Sequence, residues 1–355
     1  MAKEFRVIDT GIRDGREQIA FDQALIDLHR QGETPDTIRF LRFPPTALIG
    51  RHQALSQELK LDYCRKNNIQ TVRRITGGGA LYFDEGQLGW ELVFDRASLG
   101  IGSLADLTRE ICEAAACGLQ KLGVDAQYRP RNDIEVDGRK ISGTGGFFDG
   151  NTLFYQGTLL VDMDPADMIA TLNIPDAKLA KRQLDSAAQR VVSLKDLLGQ
   201  APDLQTIKQA LVDGFAEKLG ISPVAGEISK LEEETAKQLL DEEIGTDEFV
   251  SEIDDPANAV GILSGSHTGQ GGTVSAYARL EGASQDRFRE ILITGDFFVT
   301  PPRIVFDLEA SLRGTPIAQV RENVEAFFAS ADVGLLTIAP GDFANSIENA
   351  LATRA

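Results

Sequence analysis

The sequence predicts an α+β protein with a large N-terminal domain, residues 1–255, and a small α+β C-terminal domain, residues 256–355. Its 355 residues exceed the usual size of one domain. Asp137-Gly138 lies between two alternating runs, which is a strong signal for an antiparallel hairpin. An acidic connector, about residues 227–255, ends at Asp254-Asp255-Pro256, and two strand patterns and two helical patterns follow it. These observations together indicate two α+β domains.

Hydrophobic periodicity places the elements along the chain. Residues 15–30 carry Ile19, Ala20, Ala24, Leu25 and Leu28 at the spacing of an amphipathic helix. A strand over 37–43 is interrupted by two prolines, and a helix over 104–122 is bounded by a glycine. The remaining predicted strands are 5–10, 152–162, 272–280 and 289–298, and the remaining predicted helices are 57–68, 193–198, 204–219, 304–312 and 317–329.

Composition limits the classes of function. The net charge is −18, and residues 227–255 contain twelve acidic residues against two lysines, so we expect no nucleic-acid partner. No apolar run is long enough to span a bilayer, and the N-terminus is polar, so we expect no membrane association and a cytoplasmic location. Three cysteines in 355 residues argue against a disulfide framework.

A glycine triplet, Gly77, Gly78 and Gly79, lies between strand-like runs and follows Arg73 and Arg74 after two intervening residues. Glycine loses the most backbone freedom on folding, so such a run indicates positive φ or a close approach of the backbone. Successive N–H groups in such a loop form an anion-binding concavity, and the arginines add forked donors. The alternative is a plain turn with solvated arginines. Neither a Walker motif nor a GxGxxG-helix motif is present.

The hairpin at Asp137-Gly138 contains the second candidate group. A two-residue loop there pairs Glu135 with Lys140, and Ile134 with Ile141. Lys140 then points away from the buried side and is followed closely by glycines. One interpretation is a surface ion pair of Lys140 with Glu135, which stabilises a fold by under about 1 kcal/mol. The other is a lysine presented to a ligand.

The ordered set of motifs resembles the lipoate–protein ligase family of the biotin/lipoate ligase superfamily. The matching segments are RRITGGGALYFD, RNDIEVDGRKISG and YQGTLLVDMD, with smaller similarities in AFDQAL, IGRHQ and AAQRVVSL. The segment REILITGDFFVTPPRIVFDLEASLRG resembles the accessory domain that such ligases carry, fused or separate. The resemblance implies a catalytic domain of mixed or antiparallel sheet flanked by helices.

The resemblance also implies an activity and a site. Lipoate and ATP, with Mg²⁺, would form lipoyl-adenylate, and a lysine of a lipoyl-domain acceptor protein would then take the lipoyl group. Lys140 would be catalytic, bridging the α-phosphate and the acyl carbonyl. The implied ATP and adenylate contacts are Gly77, Gly78, Gly79, Ala80, Tyr82, Asp133 and Thr158. The implied lipoyl contacts are Arg74, Phe83, Asn132, Gly143 and Gly157. Asp133 is the candidate Mg²⁺ ligand, since hard oxygen ligands suit that ion.

Two positions depart from the family pattern. Phe83 and Phe147 replace a histidine and an arginine that are common there, which predicts a more apolar acyl pocket or an unusual acceptor. Two alternatives remain open. An octanoyltransferase on the same scaffold needs a nucleophilic cysteine, and no cysteine is close in sequence to the hairpin. A non-catalytic lipoyl-protein-binding homologue would have lost the adenylate chemistry.

Overall fold

The computed structural model describes residues 2–100, 103–173, 190–258, 260–336 and 338–354. They form two compact units. The first unit comprises Met1–Leu48, Leu59–Arg73 and Leu81–Val250, and the second comprises Ile49–Glu58, Arg74–Ala80 and Ser251–Ala355. Backbone hydrogen bonds from Leu55 to Ile253 (2.8 Å) and from Gly295 to His52 (3.0 Å) tie an N-terminal segment into the second unit. The predicted boundary between residues 255 and 256 did not place Ile49–Glu58 and Arg74–Ala80 with the C-terminal domain.

A mixed sheet forms the centre of the first unit. Among the described residues it has eight strands in the spatial order β11-β1-β2-β6-β10-β9-β8-β7. Strand β1 pairs in parallel with β11 and β2, whereas β2, β6, β10, β9, β8 and β7 pair antiparallel in that order. Strands β3, β4 and β5 form a smaller sheet. The bounds are β1 Lys3–Ile12, β2 Thr37–Arg42, β3 Thr46–Ile49, β4 Gln70–Arg73, β5 Leu81–Phe83, β6 Gln87–Asp95, β7 Gln127–Arg129, β8 Asp133–Val136, β9 Arg139–Asp149, β10 Thr152–Leu160 and β11 Ile221–Ala225. The predicted mixed sheet is confirmed.

Helices with well-formed caps flank this sheet. Asp14 caps the first helix at its N-terminus, and Gly32, with φ 78°, ends it in the left-handed conformation that glycine favours. The helices of the first unit are Gly15–Gln31, Leu61–Lys66, Leu104–Lys121, Pro165–Thr171, Leu194–Leu198, Leu204–Leu219, Lys230–Leu239 and Asp247–Val250, with a π-helical turn at Leu240–Ile244. Among the described residues, no helix combines the length and the apolar character needed to cross a membrane.

The predicted single helix over 57–68 is wrong. Two short helices, Leu55–Glu58 and Leu61–Lys66, replace it. Leu59 and Lys60 leave helical geometry between them, because Leu59 forms a β-bridge with Leu172 and the Lys60 N–H donates to the Thr171 carbonyl at 2.9 Å. A tertiary contact therefore overrides the helical pattern.

The acidic connector is only partly a solvated face. Glu232 is fully buried and forms an ion pair with Arg6 at 2.5 Å, and Glu233 pairs with Arg13 at 2.6 Å. Burial raises the pKa of Glu232, but hydrogen bonds from Arg6 and Thr34 outweigh it and hold the pKa below its usual range. The helix Lys230–Leu239 is thus anchored to the first unit by charge pairing.

Three charged side chains are buried together beneath the mixed sheet. Arg39 is fully buried and contacts both Asp22 and Glu91, the latter at 2.8 Å. One guanidinium does not neutralise two carboxylates. Burial raises the pKa of Asp22 and of Glu91, and the neighbouring Asp22 charge raises that of Glu91 further against the opposing effect of Arg39. Burial therefore favours the protonated form of these carboxyl groups in the folded state.

Glu91→Gln is expected to flatten the pH dependence of stability. The ordinary pKa of Glu91 is 4.5. Above it the unfolded chain releases this proton, whereas the raised pKa favours the protonated group in the folded protein. Stability therefore falls as pH rises toward the folded-state pKa, by at most about 1.4 kcal/mol per pH unit. Glutamine carries no titrating proton, which removes that contribution. Urea unfolding at several pH values measures how the free energy of unfolding depends on pH, with exposed Glu234→Gln as the control. The same pH dependence in wild type and Glu91→Gln would contradict the raised pKa of Glu91.

The second unit packs helices on a three-stranded antiparallel sheet. The strands are β12 Leu263–Gly269, β13 Gly272–Glu281 and β14 Arg287–Gly295, with a short ladder of β15 Val299–Thr300 and β16 Gly334–Leu335. The helices are Leu55–Glu58, Ile304–Leu312, Val320–Ser330 and Pro340–Ala352. Its core includes Phe288, Phe297 and Phe343, all fully buried. The predicted α+β C-terminal domain is confirmed, but β12 and the last helix were not predicted; β12 alternates between half-buried and exposed residues, which gives a weak hydrophobic signal.

Candidate functional site

The hairpin between β8 and β9 forms as predicted at its turn. Asp137 and Gly138 have φ values of 51° and 75°, the positive values that a type I′ turn needs. Glu135 pairs with Lys140 as predicted. Ile134, however, pairs with Ser142 and not with Ile141, so β9 carries one extra residue. This bulge re-aims the side chains that follow it.

Lys140 forms its ion pair with Asp133. Its Nζ lies 2.7 Å from Asp133 Oδ1, and the lysine side chain remains 38% exposed. The alternative of a surface ion pair with Glu135 is wrong: Lys140 pairs with Asp133, and Glu135 accepts from Arg129 at 3.3 Å. A cation held by a carboxylate and still open to solvent is suited to an anionic ligand.

Gly143 provides the space that Lys140 occupies. A Cβ added at Gly143 would lie 2.5 Å from Lys140 Nζ, so any other residue would displace the ammonium. The Gly143 N–H donates to Thr158 Oγ1 at 3.2 Å. Asp133, Lys140, Gly143 and Thr158 therefore form one cluster, the lysine site, and all four were predicted as site residues.

The Lys140 backbone is also fixed on its other side. Its N–H donates to the Arg190 carbonyl at 2.7 Å, and its carbonyl accepts from Val192 N–H at 2.9 Å. Arg190 and Val192 belong to the segment AAQRVVSL, one of the smaller similarities to the ligase family in the sequence. Arg190 and Val192 therefore hold the strand that presents the lysine.

Asp133 forms ion pairs with two cationic side chains. Arg129 contacts Oδ2 while Lys140 contacts Oδ1. Burial raises the pKa of Asp133, but the Lys140 charge and the hydrogen bonds from both cations outweigh it, so the pKa lies below its usual range. Among the described residues, no three His, Cys, Asp or Glu side chains cluster to hold a metal. Asp133 would have to give up a cation to bind Mg²⁺, so the lysine site does not fit a resident metal.

The glycine triplet belongs to the second unit, where Gly77 and Gly78 are buried and Gly79 is exposed. Gly78 has φ 92°, as a glycine-specific position should, and its N–H donates to the Phe297 carbonyl at 3.0 Å. A Cβ on Gly77 would collide with that same carbonyl, and one on Gly78 would lie 2.5 Å from Phe298 Cζ. Close packing within the unit therefore requires glycine at positions 77 and 78, whereas a Cβ on Gly79 would make only an ordinary contact at 3.7 Å. Their predicted adenylate contacts, and that of half-buried Ala80, stay predictions.

The two arginines beside the triplet are buried, so the alternative of solvated arginines is wrong. Arg73 donates to the carbonyls of Phe249 and Val250. Arg74 is 4% exposed and donates to the carbonyls of Gly77 and Gly79, both at 2.8 Å. Burial lowers the pKa of Arg74 to about 10, so it remains charged at neutral pH. In the structure Arg74 shapes the triplet, and its lipoyl contact stays a prediction.

Several predicted contacts are core residues of the first unit. Tyr82 is 5% and Phe83 3% exposed, and the Phe83 ring packs 4.9 Å from that of Phe43. Gly157 faces Trp90 across the sheet, and a Cβ there would collide with the indole. Phe147 packs on Phe154 at 5.9 Å. The ligand contacts predicted for Tyr82, Phe83 and Gly157 stay predictions.

Sequence distance was misleading for one cysteine. All three cysteines, Cys64, Cys112 and Cys117, are free and buried. Cys112 lies 3.3 Å from Thr144 Oγ1 on β9, so it lies beside the hairpin in space although 20 residues or more before it in sequence. Burial raises the pKa of the Cys112 thiol to about 11, which disfavours the nucleophilic thiolate.

Comparison with known proteins identifies related chains. Residues 14–216 match the family model of the lipoyl protein ligase A/B catalytic domain. Octanoyltransferase LipM of Kyrpidia tusciae is 30% identical over 260 residues, which are 66% of this chain and 94% of that protein. Lipoate-protein ligase A subunit 1 of Thermoplasma acidophilum is 31% identical over 244 residues, 66% of this chain and 91% of that protein.

Solved structures give the same picture. The bi-partite lipoate protein ligase of Thermoplasma acidophilum has a TM-score of 0.64 and 28% identity, over 70% of this chain and 97% of that one. P. falciparum LipL1 has a TM-score of 0.71 at 15% identity, over 93% of this chain and 95% of that one, and this supports the fold alone. The relatives include both ligases and octanoyltransferases.

Proposed function

The chain belongs to the lipoyl protein ligase A/B catalytic-domain family, and on that premise we propose that it is an ATP-dependent lipoate–protein ligase. It would join lipoate to AMP and then transfer the lipoyl group to a lysine of a lipoyl-domain acceptor protein. The observation that carries this proposal is the lysine site. Its ammonium is 2.7 Å from Asp133 and accessible to solvent.

The first reaction places negative charge where the lysine site offers a cation. The lipoate carboxylate attacks the α-phosphorus of ATP, and charge accumulates on the phosphate oxygens as pyrophosphate leaves. A preorganised ammonium stabilises that charge without reorganising. Asp133 and the empty space at Gly143 fix the position of Lys140 Nζ before the nucleotide arrives.

Gly78, another proposed nucleotide contact, already has a hydrogen-bond partner in the structure. Gly78 would donate its N–H to the nucleotide only after releasing the Phe297 carbonyl. Gly77, Gly79, Ala80, Tyr82, Asp133 and Thr158 remain proposed nucleotide contacts, and Arg74, Phe83, Asn132, Gly143 and Gly157 remain proposed lipoyl contacts. Mg²⁺ would accompany ATP through its phosphates, since that ion keeps most of its water and phosphate ligands. No chemical step is assigned to a protein-bound metal.

In the second reaction the acceptor lysine attacks the acyl carbonyl of the mixed anhydride, forming an amide and releasing AMP. A cation at the lysine site would lower the barrier by stabilising the oxyanion and the leaving phosphate. The related bi-partite ligase of Thermoplasma acidophilum is described together with its E2 lipoyl domain. We propose an acceptor of that class for this chain.

Octanoyl transfer is the second candidate, because several relatives are octanoyltransferases of the LipM type. That reaction passes through an acyl-thioester on a nucleophilic cysteine. The three cysteines of this sequence are all buried, and Cys112, beside the hairpin, has a raised pKa. The cysteine environments therefore favour the ligase.

ATP–pyrophosphate exchange with lipoate, octanoate or biotin separates the candidates. We expect exchange with lipoate and no cysteine adduct with an octanoyl-thioester donor. An octanoyl adduct on a cysteine, together with no exchange, would establish the octanoyltransferase instead. The absence of both reactions would indicate a non-catalytic lipoyl-protein-binding homologue.

A further inference from the structure

Thr144 holds the loop that carries Asp133. It follows Gly143 on β9 and is 5% exposed. Its N–H and its hydroxyl both donate to the Asn132 carbonyl, at 2.9 and 2.8 Å. The Asn132 side-chain amide in turn donates to the Thr144 carbonyl. Three hydrogen bonds to one threonine therefore fix the residue that precedes Asp133.

The hydroxyl of Thr144 is itself oriented from the core. Thr144 Oγ1 lies 2.5 Å from the hydroxyl of Tyr155, which is fully buried. A carbonyl only accepts, so the single Thr144 hydroxyl proton goes to Asn132 and Tyr155 must donate to Thr144. Cys112 Sγ lies 3.3 Å from Thr144 Oγ1 and 3.6 Å from the Tyr155 hydroxyl. Tyr155 thus donates a hydrogen bond to Thr144, and Thr144 donates one to the Asn132 carbonyl.

The loop needs this support because its backbone is strained. Arg131, directly before Asn132, has φ 101°, a region that residues other than glycine rarely adopt. Such conformations persist only where the surroundings over-determine them. Tyr128 contributes a weak hydrogen bond to the Arg131 carbonyl at 3.5 Å. The three bonds to Thr144 are the stronger constraint.

We infer that Thr144, oriented by Tyr155, is a positioning residue that holds Asp133 against the ammonium of Lys140. Without the hydroxyl, Asn132 loses a bond, Arg131 relaxes toward ordinary φ values, and Asp133 moves away from Nζ. In the native protein, the bonds between Asn132 and Thr144 restrain the loop. The role of Thr144 in positioning Asp133 does not depend on the proposed function, whereas its effect on catalysis rests on that function.

Two substitutions separate the hydroxyl from the bulk of the side chain. Thr144→Val keeps the shape and removes the hydroxyl, and Thr144→Ser keeps the hydroxyl. We expect Thr144→Val to lower kcat for exchange about 10- to 100-fold with a smaller change in KM, because a misplacement of ~1 Å can cost about 100-fold. Thr144→Ser should restore most of the rate. Thr152→Val, which removes another buried hydroxyl bonded to His29, is the matched control.

A second readout does not depend on activity. Acetylation of the folded protein with an N-hydroxysuccinimide ester, followed by mass spectrometry, measures how accessible Lys140 is. Thr144→Val should label Lys140 faster than wild type, because the ammonium loses its carboxylate, and Thr144→Ser should not. Lys195, paired with Asp162 at 2.9 Å, is the internal control. If Thr144→Val does not fold, Tyr155→Phe is the alternative variant, because it removes only the hydroxyl that orients Thr144. It should give a smaller rise in the labelling rate of Lys140.

A double-mutant cycle with Asp133→Asn tests whether Thr144 acts through Asp133. If it does, Thr144→Val adds little to Asp133→Asn in the labelling rate. Labelling of Thr144→Val at the wild-type rate, or full additivity in the cycle, overturns the positioning role. Absence of exchange in the wild type overturns the proposed function, while the labelling comparison still decides the role of Thr144.

Discussion

Lys140→Ala is expected to abolish lipoate-dependent ATP–pyrophosphate exchange while the protein remains folded. The substitution removes the preorganised cation of the lysine site, and losing one such donor costs about 100- to 1,000-fold in rate. The fold should survive because the Lys140 side chain is 38% exposed and such pairs stabilise by about 0–1 kcal/mol. Exchange rates and a thermal unfolding curve, measured on the same preparation, check both parts.

Lys195→Ala is the matched control for Lys140→Ala. Lys195 also pairs with an aspartate, Asp162, at 2.9 Å in the first unit and is 52% exposed. Its removal should leave the exchange rate unchanged. Exchange at the wild-type rate in Lys140→Ala, or equal losses in the two variants, would show that Lys140 has no special role.

Gly143→Ala is expected to reduce exchange about 100-fold, by displacing Lys140 and not by unfolding the chain. The added Cβ would lie 2.5 Å from Nζ and 2.6 Å from Cε of Lys140. These atoms are the far end of a flexible side chain, so the lysine swings aside at low cost in stability. Gly143 is outside the positive-φ positions, so alanine fits its backbone. A displacement of ~1 Å or more accounts for a loss of that size.

The readout for Gly143→Ala is the exchange rate alongside the melting temperature. Gly341→Ala, which adds a methyl group to open space, is the control and should retain full activity. Wild-type exchange in Gly143→Ala would contradict the spatial role of Gly143. A large fall in melting temperature would show that the methyl group disturbs the strand and not only the lysine.

Local patterns in the sequence predicted the hairpin but not its bulge. Asp137-Gly138 determined the turn and the pairing of Glu135 with Lys140. The extra residue at Ile141 depends on tertiary packing, since that side chain is fully buried. The sequence offered Glu135 as one alternative ion-pair partner of Lys140, and the structure pairs the lysine with Asp133 instead.

Long-range contacts were not visible in the sequence. The glycine triplet was expected to face a ligand, and the structure packs Gly78 against Phe297, more than two hundred residues later. Cys112 is distant from the hairpin in sequence but touches Thr144. Arg73 is buried by carbonyls near residue 250. Each contact joins segments whose proximity is set by the tertiary fold and not by local periodicity.

The most direct test of the account is a crystal structure of the protein with a non-hydrolysable lipoyl-adenylate analogue. We expect Lys140 Nζ to lie at hydrogen-bond distance, about 2.7–3.2 Å, from the phosphate or acyl oxygen of the analogue. An analogue bound with Lys140 still paired only to Asp133 and pointing away from the ligand would contradict it.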